Sequence, residues 1–166
     1  AKGKVGADAP WERMVEYFVR YVEAHITDYE ALDLESTNIS FALETAAERE
    51  MGSALVRGAN SIFHFLKMRG AYERAETYLK LAQTSAETSD DRAGLMTILR
   101  NLAQIARSRG DYEQAEGYLQ EGLALARTDK TEEEIGPLLA ELGTVIGIRG
   151  HHTRAEPFFR EGLALA

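Results

Sequence analysis

The side chains able to do chemistry are few, and their spacing argues against most reactions. Four histidines stand at His25, His64, His151 and His152. No H-E-x-x-H sets two of them on one helical face, and adjacent histidines on a turn point in different directions, which argues against a metal centre. With no cysteine in the chain, disulfides, thiolate chemistry and cysteine-based zinc sites are excluded. "GKVGADA" near the start lacks the G-x-x-x-x-G-K-[ST] order of a phosphate loop. The 27 Asp and Glu residues are mostly dispersed over outward-facing helical positions, the pattern of a solvated surface rather than a hydrolytic pair. The expectation is a noncatalytic protein without metal or cofactor.

Composition narrows the partners. A formal charge of −8 argues against direct binding to nucleic acid, which calls for a basic face. No apolar run approaches the roughly 20 residues of a membrane span, and the opening "AKGKVGADAP" has no apolar signal core. Residues 1–10 read as a flexible leader, and the cysteine-free chain fits a cytoplasmic setting.

The elements announce themselves through repetition. "RGDYEQAEGYLQEGLALA" begins at Arg109, "RGHHTRAEPFFREGLALA" at Arg149 and a looser "RGAYERAETYLKLAQTSA" at Arg69, so Gly70, Gly110 and Gly150 stand 40 residues apart. Before each glycine lies an apolar stripe at helical spacing: Leu55, Ala59, Ile62 and Leu66, then Leu95, Leu99, Leu102 and Ala106, then Ile135, Leu139, Leu142 and Ile146. After it comes a second helix, with Tyr112, Ala115, Leu119 and Leu123 in the middle copy. Each repeat is a helical hairpin whose glycine supplies the left-handed turn. Asp111 caps the second helix, and Gln114 completes a capping box. His151 replaces that aspartate in the last copy, so the cap there is weaker. Ala75, Ala115 and Ala155 mark the closest approach of the paired helices. Residues 87–91 and 127–133 read as polar connectors, with Asp90 and Thr131 as caps. Upstream, Val15, Phe18, Val19, Val22 and Ile26 form one stripe and residues 34–48 a second helix. Residues 11–50 are therefore a helical pair, a degenerate repeat or cap, ahead of repeats at 51–90, 91–130 and 131–166.

Over residues 51–166 the chain resembles the tetratricopeptide (TPR) repeat family, with a 40-residue repeat in place of about 34. The middle copy carries the family's Leu102, Gly110, Tyr112 and Ala115, then Leu119 and Gly122. Gly143 is the small first-helix residue of the third copy, where His152 replaces the tyrosine. The tryptophan position holds Ala59, Leu99 and Leu139, and the closing proline is absent. The resemblance implies an all-α, right-handed superhelix of about eight antiparallel helices. A second likeness lies upstream: Leu32, Glu35, Asn38, Ile39, Ala42 and Leu43, followed by Phe65 to Tyr72, are similar to the segment leading into the TPR array of STAND-type nucleotide-switch regulators. That likeness implies the sensor arm of a larger signalling or transcriptional regulator.

In the TPR family the first helices line a concave groove. Register on the turn glycine puts Arg57, Asn60, His64, Lys67 and Met68 there, with Thr97, Arg100, Gln104, Arg107 and Ser108 in the second copy. Pro137, Ala140, Thr144, Gly147 and Ile148 follow in the third. These positions are basic and polar in two copies, small and apolar in the last, and contain no acid, whereas Glu113, Glu116 and Glu121 fall on the second helix. The ligand-binding residues expected are Arg57, Asn60, His64, Lys67, Thr97, Arg100, Gln104 and Arg107, taking a protein or acidic peptide segment. Basic residues near helix C-termini also satisfy the helix dipole without any ligand. Pro137 and Glu141 rule out the family's C-terminal carboxylate clamp. Leu163 and Leu165 have no following hairpin to cover them, which implies further repeats or self-association through the last helix. The alternative to a ligand-binding scaffold is a self-association module or spacer.

Overall fold

The computed structural model describes residues 10–165, all helix and turn. Its elements are α1 (Pro10–Ala24), α2 (Tyr29–Leu34), α3 (Ser36–Glu48), α4 (Gly52–Met68), α5 (Tyr72–Ser89), α6 (Arg92–Ser108), α7 (Tyr112–Asp129), α8 (Glu132–Ile148) and α9 (His152–Ala164). The leader expected over 1–10 falls outside the described residues except for Pro10, which already belongs to α1. The chain forms two compact units, one ending at Ser85 and one beginning at Ala86.

In the first unit α1 packs on α3 and α4, α3 packs on α4, and α2 leans on α3. Val15, Val19 and Val22 are buried as their spacing requires, but α1 stops at Ala24 and Ile26 is exposed. Residues 11–50 thus hold three helices rather than a pair. The break falls at Glu35, which ends α2 and starts α3 without a side-chain cap. Leu32, Ile39, Ala42 and Leu43 turn inward there, and Asn38 Nδ2 donates to Glu35 Oε2 at 2.7 Å. Of the residues that carry the second resemblance, Leu32, Ile39, Ala42 and Leu43 are core residues here, while Glu35 is half-buried and Asn38 exposed.

In the second unit α6 pairs with α7, α7 with α8 and α8 with α9. Its core joins Leu119, Leu123, Ile135, Leu138, Leu139 and Leu142. All three first-helix stripes are buried, as are Ala75, Ala115 and Ala155.

Two turn families repeat every 40 residues. Gly70, Gly110 and Gly150 have φ of 69°, 81° and 84°, and the next N–H reaches back to close the helix, as from Asp111 N to Ala106 O at 2.9 Å. Between hairpins the same closure recurs, from Asp91 N to Ala86 O at 2.9 Å and from Thr131 N to Ala126 O at 3.0 Å. There the left-handed residues are Glu50, Asp90 and Lys130, with φ of 55°, 54° and 55°. The connectors expected at 87–91 and 127–133 are accordingly only a turn, because α5 runs to Ser89 and α7 to Asp129. Asp90 is the left-handed residue and Asp91 the cap, its Oδ1 accepting from Gly94 N, while Thr131 makes no side-chain cap bond. Asp111 does cap α7 through Gln114 N. Its own N–H is taken by Ala106 O, so the second half of the capping box is supplied by the preceding turn. His151 makes no side-chain cap bond.

Candidate interaction surface

In the first unit, Arg57, Asn60, His64 and Lys67 lie at intervals of three and four along α4, a single stripe beside the buried Leu55, Ala59, Ile62 and Leu66. Arg57 is half-buried and forked between two carboxylates of α1. Its Nε and Nη2 donate to Glu23 at 2.8 and 2.9 Å, and its Nη2 donates to Glu16 at 3.2 Å. Hydrogen bonds from Arg20 and then Arg57 hold the Glu16 carboxyl below the usual carboxylate range, and the bond from Arg57 does the same for Glu23. Glu23 and Glu16 in turn raise the Arg57 guanidinium further above its ordinary value. His64 is exposed with its ring beside Phe63, and the Lys67 ammonium stands 5.8 Å from the Phe63 ring centre.

In the second unit, Thr97, Arg100, Gln104 and Arg107 form the matching stripe of α6, all half-buried. The Thr97 hydroxyl donates to Ala93 O of its own helix at 3.2 Å. Arg100 Nη1 meets Glu134 Oε2 of α8 at 3.2 Å. Arg107 enters no ion pair among the described residues. On α8, Pro137, Ala140, Thr144 and Ile148 are exposed and Gly147 half-buried.

These stripes are less basic than their residues suggest. Arg57 and Arg100 each meet a carboxylate 34 residues away, nearly one repeat. Glu116 departs further from expectation. It is 7% exposed and accepts from Arg149 at 2.6 Å and Arg154 at 2.8 Å, tying α7 to the end of α8 and the start of α9. It is a junction residue rather than a solvated surface charge.

One groove lies away from the expected residues, and another takes in Pro137 and Ala140 of the third-copy positions together with Leu163 and Leu165. In the first unit a cavity of about 670 Å³ is lined by Arg13, Tyr17, Arg20, Tyr21 and Met51. In the second, one of about 800 Å³ runs between α8 and α9 past Ala140, Phe159, Gly162, Leu163 and Leu165. Tyr17 and Tyr21 stand four apart on α1, off its buried stripe, and that spacing is the only mark of the first groove in the sequence. Among the described residues no cluster of His, Asp and Glu is placed to hold a metal ion, and no helix is long and apolar enough to cross a membrane.

Helical hairpins in a fixed 40-residue register, with no strand among the described residues, define an all-α helical-repeat fold of the TPR-like class. Residues 60–128 match the tetratricopeptide repeat family model. The crystal structure of BtubC (BKLC) from P. vanneervenii is similar in fold, with 20% identity, coverage of 95% of this chain and 74% of that one, and a TM-score of 0.61. No curated protein sequence matches the chain.

Proposed function

We propose that this chain is a noncatalytic scaffold that holds an acidic protein segment on the first-helix stripe of its second unit, as one arm of a larger regulator. Tetratricopeptide repeats generally mediate contacts between proteins, and stacked hairpins offer extended binding faces. The observation that carries the reading is the α6 stripe, where the half-buried Arg107 enters no ion pair among the described residues, one turn from Gln104 and two from Arg100. Its cation is available to a carboxylate, and Arg100 can exchange Glu134 for one. Placement in a nucleotide-switch regulator rests on the likeness over α2 and α3. A cytoplasmic setting, drawn from the cysteine-free composition, belongs to the same proposal.

Titrating labelled acidic peptides against the chain tests it. The expected result is saturable binding that weakens with salt, since exposed charges are screened over about 10 Å at 0.1 M. Arg100→Glu with Arg107→Glu should weaken it roughly tenfold or more without loss of helicity. Glu113→Arg, on the exposed side of α7, should leave it unchanged. Binding indifferent to salt and to the arginine pair would overturn the proposal.

A second reading has its own observation. Phe159, Leu163 and Leu165 are 41, 78 and 49% exposed, and such a patch favours self-association through α9.

A further inference from the structure

The faces that α1 and α9 present to solvent are the two halves of one repeat junction. Inside the second unit that junction is filled. There α8 lies on the α6–α7 hairpin, Leu138 stands 3.4 Å from where a Cβ on Gly122 would sit, and Leu119 and Leu123 are buried. Forty residues on, Phe159, Gly162 and Leu163 take the same positions on the α8–α9 hairpin. Phe159 and Gly162 rest against α8 of their own hairpin, and no further helix among the described residues lies on this face: Phe159 and Leu163 are 41 and 78% exposed, against 1 and 4% for Leu119 and Leu123.

The covering half recurs too. Carried back by whole repeats, the register sets Val15, Val19 and Val22 of α1 on the core positions of Ile135, Leu139 and Leu142. It sets Met14 and Phe18 on the positions of Glu134 and Leu138. Leu138 is 1% exposed, whereas Met14 and Phe18 are only half-buried. Even the charged contact has its counterpart. Where Arg100 meets Glu134 inside the chain, the corresponding residues on the two open faces are Ala140 and Met14, so both sides change together from an ion pair to an apolar pair.

We propose that a second copy of this chain docks head to tail, with the Met14–Phe18 face of α1 in one copy lying on the α8–α9 face of the other as α8 lies on α6–α7. The inference rests on the self-association reading and adds the second surface. Because the two surfaces differ, the contact is heterologous rather than two-fold.

Sedimentation velocity on the whole chain across a concentration series tests it, with circular dichroism confirming that each variant is folded. The wild-type chain should associate, and Leu163→Glu should weaken association roughly tenfold or more. Met14→Glu and Ala140→Arg should each weaken it as well. Combined in one chain they should restore it, because they rebuild the Arg100–Glu134 pair between copies. A strictly monomeric wild type would overturn both this inference and the self-association reading. Dispersal by Leu163→Glu without any effect of Met14→Glu would indicate a tail-to-tail contact, overturning the inference alone. So would single variants that weaken association and a double variant that does not recover it.

Discussion

Glu116 keeps a carboxylate where almost no solvent reaches it, and the Arg149 and Arg154 guanidiniums beside it make that tolerable. Gln120 adds a third donor at 3.2 Å. Breaking one side of such a cluster strands the other, so the loss exceeds that of an exposed pair. Glu116→Gln should therefore cost about 1.5–3 kcal/mol, in the range of hydrogen bonds to charged groups, when unfolding is followed in urea. Glu113→Gln on the exposed side of the same helix should change stability by less than about 0.5 kcal/mol. Equal effects from the two would mean that the cluster adds nothing. The same contrast marks how far the candidate site was legible. Register on the turn glycines is enough to put Thr97, Arg100, Gln104 and Arg107 on one stripe of α6. It is silent about Glu134 and Glu116, because their partners come from the neighbouring hairpin and no local spacing encodes them.

At the scale of elements, the hairpins were legible because each stripe has a strict helical period and each glycine marks a left-handed turn. The turns between hairpins were not, since Glu50, Asp90 and Lys130 adopt that conformation without the residue that signals it. The same opacity applies to the α2–α3 break at Glu35, where neither glycine nor proline interrupts the pattern. Left-handed backbone at a residue with a Cβ carries a steric cost of about 1–2 kcal/mol that glycine avoids. The two turn families close their helices with the same backbone bonds, so they can be exchanged chemically. Lys130→Gly should stabilise the chain by about 0.5–1 kcal/mol, less than the full steric term because glycine also loosens the unfolded chain. Gly110→Ala should destabilise it by about 1 kcal/mol. Thermal melts of the two variants should shift in opposite directions, and a shared direction would show that the turns do not limit stability through φ.

For the molecule as a whole, acid should act with opposite sign at two sets of carboxylates. In the first unit Glu16 and Glu23 are held below 4.5, Glu16 by its bonds from Arg20 and then Arg57 and Glu23 by its bond from Arg57. A carboxyl lowered on folding adds stability above its unfolded pKa and loses it as pH falls through the folded value. In the second unit, burial and then the neighbouring Glu87 push Glu121 above 4.5. A carboxyl raised on folding favours the folded state at low pH and loses that advantage as pH rises through the folded value. Arg57→Gln should accordingly destabilise the chain near neutrality, by no more than about 1 kcal/mol for side chains this exposed, and the deficit should fade as pH falls below the unfolded carboxyl value and through the lower folded ones. Glu121→Gln should instead stabilise it near neutrality, with the gain fading at higher pH than that deficit, as pH falls through the raised folded value towards the unfolded one. Hydrogen exchange resolved by peptide reads the two separately, through α1 and α4 for the first and α7 for the second. Parallel pH profiles for the two variants would show that the charges act through the chain's overall negative field rather than through these local contacts.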